Sequence, residues 1–348
     1  GVVEPLKAQS AAHGAVADQG QDTVILSLER AGPGHTQSHR HRVGGVSGNE
    51  RIVNYWEAQR DMYRYLHDQT LHLANRGLTP DEIAEEMKLP ASLASQFNCR
   101  GYYGTLSHNV KAQYDLYFGW FDGNPAHLNP LPPSELGAKY VEAIGGADKV
   151  LEVAKASYAK GEYRWVATLL DNLVFAEPEN KEARQLLADT YSQLGYQAES
   201  GPWRNFYLTG AQDLFKKNVP YTSKLINDGV LSQMDMGTLL DYCAIQLNGE
   251  KAGGKEAVIN INFTDTKEKV MLMLNNGVLN HRLGSQDKKA DLTMEIAKMD
   301  FVKLFFGRTD LQTLHKTNKV KTTGDTKAID IIRSACEPAD PNFNIVLP

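Results

Sequence analysis

GEYRWVATLLDNLVFAEPENKEARQLLADTYSQLGYQAES, residues 161–200, decides the architecture of the longer part of this chain. The two halves read as helices folded back around a turn carrying Pro178 and Asn180. Gly161 and Gly195 stand 34 positions apart, and Pro178 falls 17 after the first. That is the spacing of a repeated helical hairpin. One and a half such units cannot bury a solenoid face alone, so the pair is expected to pack on preceding helices or on another chain.

Working outward, NERIVNYWEAQRDMYRYLHDQTLHLANRG opens at Asn49. It sets Ile52, Trp56, Gln59, Tyr63, Leu66, Thr70 and Leu73 at three- and four-residue steps, with Gly77 as the stop. This spacing predicts a long amphipathic helix. In LTPDEIAEEMKLP, Thr79 is placed as N-cap, Pro80 as first helical residue and Glu82 as partner in a capping box. Ile83 and Met87 are expected inward, and Pro90 ends the helix. GYYGTLSHNVKAQYDLYFGWFDGNPAHLNPLPP begins with a glycine-flanked tyrosine pair. A helix carrying Val110, Tyr114, Tyr117 and Phe121 follows. The Asn-Pro and Pro-Pro pairs then predict an extended stretch, because a residue before proline avoids the helical region.

Beyond Lys217 the texture changes to strands. EAVININF alternates Ile259, Ile261 and Phe263 against Val258, Asn260 and Asn262. EKVMLMLNNGVLNHRL predicts a hairpin turning at Asn276-Gly277, where positive φ suits a tight turn. ADLTMEI and NKVKTTG read as strands, AKMDFVKLFFG as a helix, and DTKAIDIIRSAC as a closing helix capped by Asp325. The fold class expected is mixed. An all-α, tetratricopeptide-like domain over 49–215 precedes an α+β domain over 217–348.

A chain of 348 residues has room for two or three domains. Its net charge of −5 argues against a general nucleic-acid surface. No run reaches the roughly 18–20 apolar residues of a membrane span. Cys99, Cys243 and Cys336 are widely spaced and odd in number, so they read as structural thiols. LTPDEIAEEMKLPASLASQF has the outline of a helix-turn-helix. Its second segment offers Ser92, Ser95, Gln96, Asn98 and Arg100 but little else for bases and phosphates, so DNA binding is set aside.

Residues 1–48 are small and polar, with one apolar run, VILSL, at Val24–Leu28. AGPGHTQSHRHRVGGVSGN holds five glycines and one proline, and reads as irregular. It also carries His35, His39 and His41.

RDMYRYLHDQTL, RGYYGTLSHNVKA, YDLYFGWFDGNPAHLNPLPP and QLGYQAESGPWRNFYLTGAQDL together resemble the alkyl sulfatases of the metallo-β-lactamase superfamily, from about residue 48 to 214. Residues 217–348 resemble the carboxy-terminal domain of that family, which is similar to sterol carrier proteins. The resemblance implies three parts: a metallo-β-lactamase domain holding two zinc ions, a helical dimerisation domain and a sterol-carrier-like domain. The implied activity is hydrolysis of sulfate esters of long-chain alcohols.

The superfamily's H-x-H-x-D-H motif fails here. His39-Arg40-His41 has the first spacing, but Val43 and Gly44 stand where aspartate and histidine are needed. SHRHRVGGVSGNERI takes the place of a histidine pair that the family follows with Trp-Pro. Residues 1–48 are therefore expected to be an irregular remnant or aberrant end of the metal-binding domain, from truncation or a frame shift. The chain is expected to hold no cofactor and to be inactive alone. His39 and His41 are left as adventitious metal contacts, since two imidazoles without ordered partners bind poorly.

By the same resemblance, Tyr103, Tyr114 and Tyr117 are candidates to touch substrate in an intact enzyme. A phenol donates to a sulfate oxygen without adding charge. Tyrosines in such positions also serve as packing anchors, the reading given to Tyr102. Ser107, His108 and Asn109 add donors, with His108 read as a hydrogen-bonded helix-start residue. In the carboxy-terminal domain Met234, Met236, Leu239, Leu240, Met271, Met273, Phe301 and Phe305 are expected near an apolar space that takes an alkyl tail. Ordinary core is the other reading of the same spacing.

Trp203, Phe206 and Tyr207 suit the centre of a homodimer interface. The ligand implied is an alkyl sulfate or another long-chain apolar molecule. The compartment stays unknown, although the resemblance implies export to a periplasm or medium. The competing function is a stand-alone, non-catalytic, dimeric lipid- or alkyl-binding module.

Overall fold

The computed structural model of the protein describes residues 15–17, 23–26, 46–215, 227–340 and 342–348. Strands β1 (Ala15–Ala17), β2 (Thr23–Leu26) and β3 (Val46–Ser47) form a small antiparallel sheet in that order. This corrects the irregular reading of 1–48 at those positions. Val24 pairs with Ala17, a near neighbour in sequence, on one side and with the more distant Val46 on the other.

Helices follow: α1 (Asn49–Ala74), α2 (Pro80–Glu86), α3 (Ala91–Ala94), α4 (Leu106–Phe118), α5 (Pro125–Leu128) and α6 (Pro133–Ile144). Then come α7 (Ala147–Ala159), α8 (Tyr163–Ala176), α9 (Lys181–Gln197) and α10 (Gly201–Asp213). The capping box of α2 is complete: Thr79 accepts from the Glu82 N–H, and Glu82 accepts from the Thr79 N–H. α1 is as long as its period predicts, but only its second half is buried. Leu66, Thr70 and Leu73 meet a core made by Ile83, Met87 and Val110. Trp56 and Tyr63, predicted inward, are 45% and 65% exposed, because that core reaches only the later turns.

α4 stops at Phe118 before Gly119 (φ 75), leaving Phe121 outside the helix. The proline-rich stretch is not wholly extended: Asn124 caps the single turn of α5. The expected second helix of the helix-turn-helix outline is only the four residues of α3.

The hairpin of the opening stretch is α8 and α9. Val166, Leu170, Leu173 and Val174 interlock with Ala183 and Leu187, and with Val150 and Ala154 of α7. The two glycines of the supposed period are not equivalent. Gly161 turns the chain with φ 78, whereas Gly195 lies buried within α9. A Cβ there would stand 3.0 Å from Leu208 of α10, so Gly195 marks close helix contact rather than a repeat boundary. Gly137 of α6 is tighter still, since a Cβ would meet the Asn172 carbonyl of α8 at 2.4 Å.

The chain divides into two compact units, Gly1–Lys217 with Asn344–Pro348, and Asn218–Phe343. Val346 and Leu347 pack on the core of the helical unit. The second unit holds α11 (Asp228–Gln233), α12 (Met236–Ala244), α13 (Gly249–Ala252), β4 (Ala257–Phe263), β5 (Lys269–Asn275), β6 (Val278–Leu283) and β7 (Leu292–Ile296). It closes with α14 (Lys298–Phe305), α15 (Leu311–Lys316), β8 (Val320–Gly324) and α16 (Lys327–Ala335).

The sheet runs β6-β5-β4-β7-β8, with β4 and β7 parallel and the other pairs antiparallel. Asn276 (φ 52) and Gly277 (φ 75) turn the predicted hairpin. Ile259, Ile261, Leu272, Leu274, Met294 and Ile296 face the helices, which contribute Leu239, Leu240, Phe301, Phe305, Ile329 and Ile332. Thr326, not Asp325, is the N-cap of α16, and the Asp325 carboxylate accepts from the Lys327 N–H two residues on. This is a helical unit followed by an α/β unit with a mixed five-stranded sheet.

Candidate functional site

Two polar clusters stand on the helical unit. In the first, α1 and α4 bring together side chains 50 residues apart in sequence. The Tyr117 hydroxyl lies 2.8 Å from His67 Nε2. His67 Nδ1 lies 2.7 Å from Asp68 Oδ1, and Arg64 Nε donates to Asp68 Oδ2 at 2.6 Å. The His67 contact first, then Arg64, holds the Asp68 carboxyl below its ordinary range, as hydrogen bonds to the ionised form do. Tyr117 is 52% exposed, so its hydroxyl joins the cluster while the ring remains open to a ligand. Tyr114 points elsewhere: its ring sits 4.8 Å from Phe118 and packs on the core of α1, α2 and α4.

The second cluster fixes the glycine-flanked tyrosine loop to the start of α10. Gly201 N–H donates to the Tyr102 carbonyl at 2.9 Å, and the Ser200 hydroxyl donates to the Tyr103 carbonyl. Arg100 pairs with Glu199 and lies over the Tyr102 ring, 5.3 Å from its centroid. Trp203 Nε1–H donates to His108 Nδ1 at 3.3 Å. Indole is a donor only, so this bond places the neutral ring's proton on Nε2. Thr105 caps α4 by accepting from the His108 N–H, as expected for a helix-start residue. Tyr103 is left 79% exposed on a loop whose backbone is held.

In the second unit Leu239, Leu240, Phe301 and Phe305 converge in one core, with Met234 at its margin. Met271 and Met273 do not join them. They pair across the sheet with Asn260 and Val258, and period-two alternation turns them to the opposite face from Leu272 and Leu274. The four converging side chains are 0–3% exposed. Other protein atoms cover them fully, so a tail reaches them only by parting the helices from the sheet.

His39 and His41 lie outside the described residues. Among the described residues no three His, Cys, Asp or Glu side chains form a group that could hold a metal ion. Histidines stand beside single carboxylates, as in His67–Asp68, His127–Asp122 and His281–Asp241. These pairs do not fit the zinc pair implied by the sequence resemblance. Burial pushes the Cys243 thiol up to about 12, consistent with an inert core cysteine.

Sequence reasoning missed His67, Asp68 and Arg64. The Arg64/Asp68 spacing of four was readable on a helix, but nothing local pointed to Tyr117. It also missed Ser200 and Gly201 as partners of the tyrosine loop.

The sequence profile of the alkyl sulfatase dimerisation domain matches residues 79–217, and that of the alkyl sulfatase C-terminal domain matches residues 224–348. The chain belongs to the alkyl sulfatase family. A linear primary-alkylsulfatase from Pseudomonas sp. is 46% identical over 305 residues, covering 87% of this chain and 45% of the relative. An (R)-specific secondary-alkylsulfatase from Pseudomonas sp. is 43% identical over 333 residues, with 93% and 49% covered. The solved structure of the stereoselective inverting sec-alkylsulfatase Pisa1 from Pseudomonas sp. superposes with a TM-score of 0.83 at 42% identity, covering 87% of this chain and 48% of that one. The chain thus spans about half the length of the curated family members it matches. Among the described residues no helix is long and apolar enough to cross a membrane.

Proposed function

We propose that this chain supplies the dimerisation scaffold, over 49–215, and an apolar-tail-binding domain, over 217–348, of an alkyl sulfatase. The activity is hydrolysis of sulfate esters of long-chain alcohols to alcohol and sulfate. The observation that carries the reading is the succession of two alkyl sulfatase profiles on two folded units. Exposed aromatics on the helical unit support a homodimer: Phe206 at 77% and Trp120 at 72% are of the kind that form interface centres. Tyr103 and Tyr117 are the substrate-facing phenols in this reading, and Tyr114 serves packing. The two zinc ions of the sequence resemblance find no donor set among the described residues, so no step is routed through them.

The tail-binding role rests on Leu239, Leu240, Phe301 and Phe305, reached by movement of the helical layer, with the sterol-carrier resemblance as support. Sedimentation at micromolar protein tests the dimer, and a monomer overturns it. Displacement of a fluorescent fatty-acyl probe tests the tail site. Saturation that tracks alkyl chain length supports it, and no binding removes it. The alternative is a non-catalytic dimeric lipid- or alkyl-binding module built from the same two units. An assay on an alkyl sulfate with zinc added separates the two readings.

A further inference from the structure

A phenol, an imidazole and a carboxylate in sequence make a relay whose hydrogen-bond direction depends on one proton. Asp68 is held ionised by His67 and Arg64, so it accepts from His67 Nδ1–H and leaves Nε2 facing Tyr117. With His67 neutral, Nε2 has only a lone pair, and the Tyr117 hydroxyl must donate inward to it. The exposed side of the phenolic oxygen then offers acceptor capacity alone. With His67 protonated, Nε2–H donates to the phenolic oxygen, and the hydroxyl hydrogen is free to point outward.

We propose that His67 and Asp68 are positioning residues that set the direction of the Tyr117 hydroxyl, making it a donor to a sulfate-type oxyanion only when His67 carries its second proton. Tyr117 meets the ligand, and His67 and Asp68 act through it. The choice of sulfate rests on the proposed function; the switch itself rests on the three contacts. Among the described residues, the charged or titratable groups bonded to His67 or to its partners are Asp68 and Arg64 on α1 and Tyr117 on α4. Tyr63 lies one turn earlier on α1, and Asp115 two positions before Tyr117 on α4. A helix clamp without a ligand role uses the same bonds, and differs in having no response to an oxyanion.

The test uses the full chain, its Tyr117→Phe variant and its His67→Gln variant. Wild-type minus Tyr117→Phe Raman spectra isolate the Fermi doublet of Tyr117, which distinguishes a donating from an accepting hydroxyl. The doublet is expected to pass from donor type to acceptor type as pH falls through the His67 titration, and to stay constant in His67→Gln. Side-chain nitrogen NMR then follows His67 in sodium sulfate against sodium chloride at equal ionic strength. A tenfold preference of sulfate for the protonated state moves the His67 midpoint up by about one pH unit by linkage. Tyr117→Phe should lose that shift.

A Tyr117 doublet that ignores His67 protonation, or an equal sulfate shift in Tyr117→Phe, overturns the proposal. Failure of the dimer or acyl-probe assays with these responses intact would instead fall on the proposed function.

Discussion

Lys298→Met removes the ammonium that closes helix α11. Lys298 is 7% exposed, and its Nζ donates to the carbonyls of Ser232, at 3.0 Å, and Met234. A hydrogen bond from a charged donor contributes about 1.5–3 kcal/mol, and a buried carbonyl left without a partner costs about 1–3 kcal/mol. Methionine fills much of the space of the lysine stem, so the loss falls on two carbonyls rather than on a cavity. Release of the ammonium from its desolvated site offsets part of it. The net expectation is about 2 kcal/mol, or roughly 30-fold in the local opening equilibrium of α11.

Amide exchange reads this at Leu231 and Met234, whose N–H groups bond to Asn227 and Val230 within that helix. Trp56, Trp120, Trp165 and Trp203 all belong to the helical unit, so the urea midpoint by tryptophan fluorescence is an internal control and should not move. Because Met234 borders the core of Phe301 and Phe305, the same variant should speed acyl-probe entry if that core is the tail site. Unchanged protection at both amides would refute the assignment of Lys298 as the pin of α11.

Two glycine substitutions should part company. In Gly137→Ala the new methyl meets a backbone carbonyl at 2.4 Å; overpacking of about 1–3 kcal/mol, less about 1 kcal/mol of helix propensity, leaves a loss of up to about 2 kcal/mol. In Gly195→Ala the obstacle is the mobile end of Leu208, and stability should stay within about 1 kcal/mol of wild type. Urea titration by tryptophan fluorescence orders the pair, and the reverse order contradicts the packing. Burial, with Asp171 and Tyr207 nearby, pushes the Tyr191 phenol from 10 up to about 12. The neutral form is favoured on folding, so this contribution is fully present below pH 10 and lost as pH rises through about 12. It amounts to about 2–3 kcal/mol. Tyr191→Phe should flatten the alkaline loss of the helical unit; an unchanged alkaline slope counts against burial as its cause.

Much of the fold was legible in the residues. Thr79, Pro80 and Glu82 specify the start of α2 through side chains that satisfy free N–H groups, whatever packs later. Asn276-Gly277 specifies its hairpin because few residues adopt positive φ twice in succession. Alternation in β4 and helical period in α8 likewise express which face turns from water.

The two polar clusters were not legible. His67 meets Tyr117 across 50 positions, and Ser200 meets Tyr103 across 97. Those meetings depend on which faces of α1, α4 and α10 come together, a result summed over many packing contacts rather than carried by either segment. Met271 and Met273 make the same point: their strand was evident, but which side the helices would cover was not. Local sequence determined elements and turns here, because caps, glycine torsions and apolar periods act within a few residues. Tertiary packing alone decided which side chains share a site and which glycines hold helices close, because those distances are fixed only once all the faces are paired.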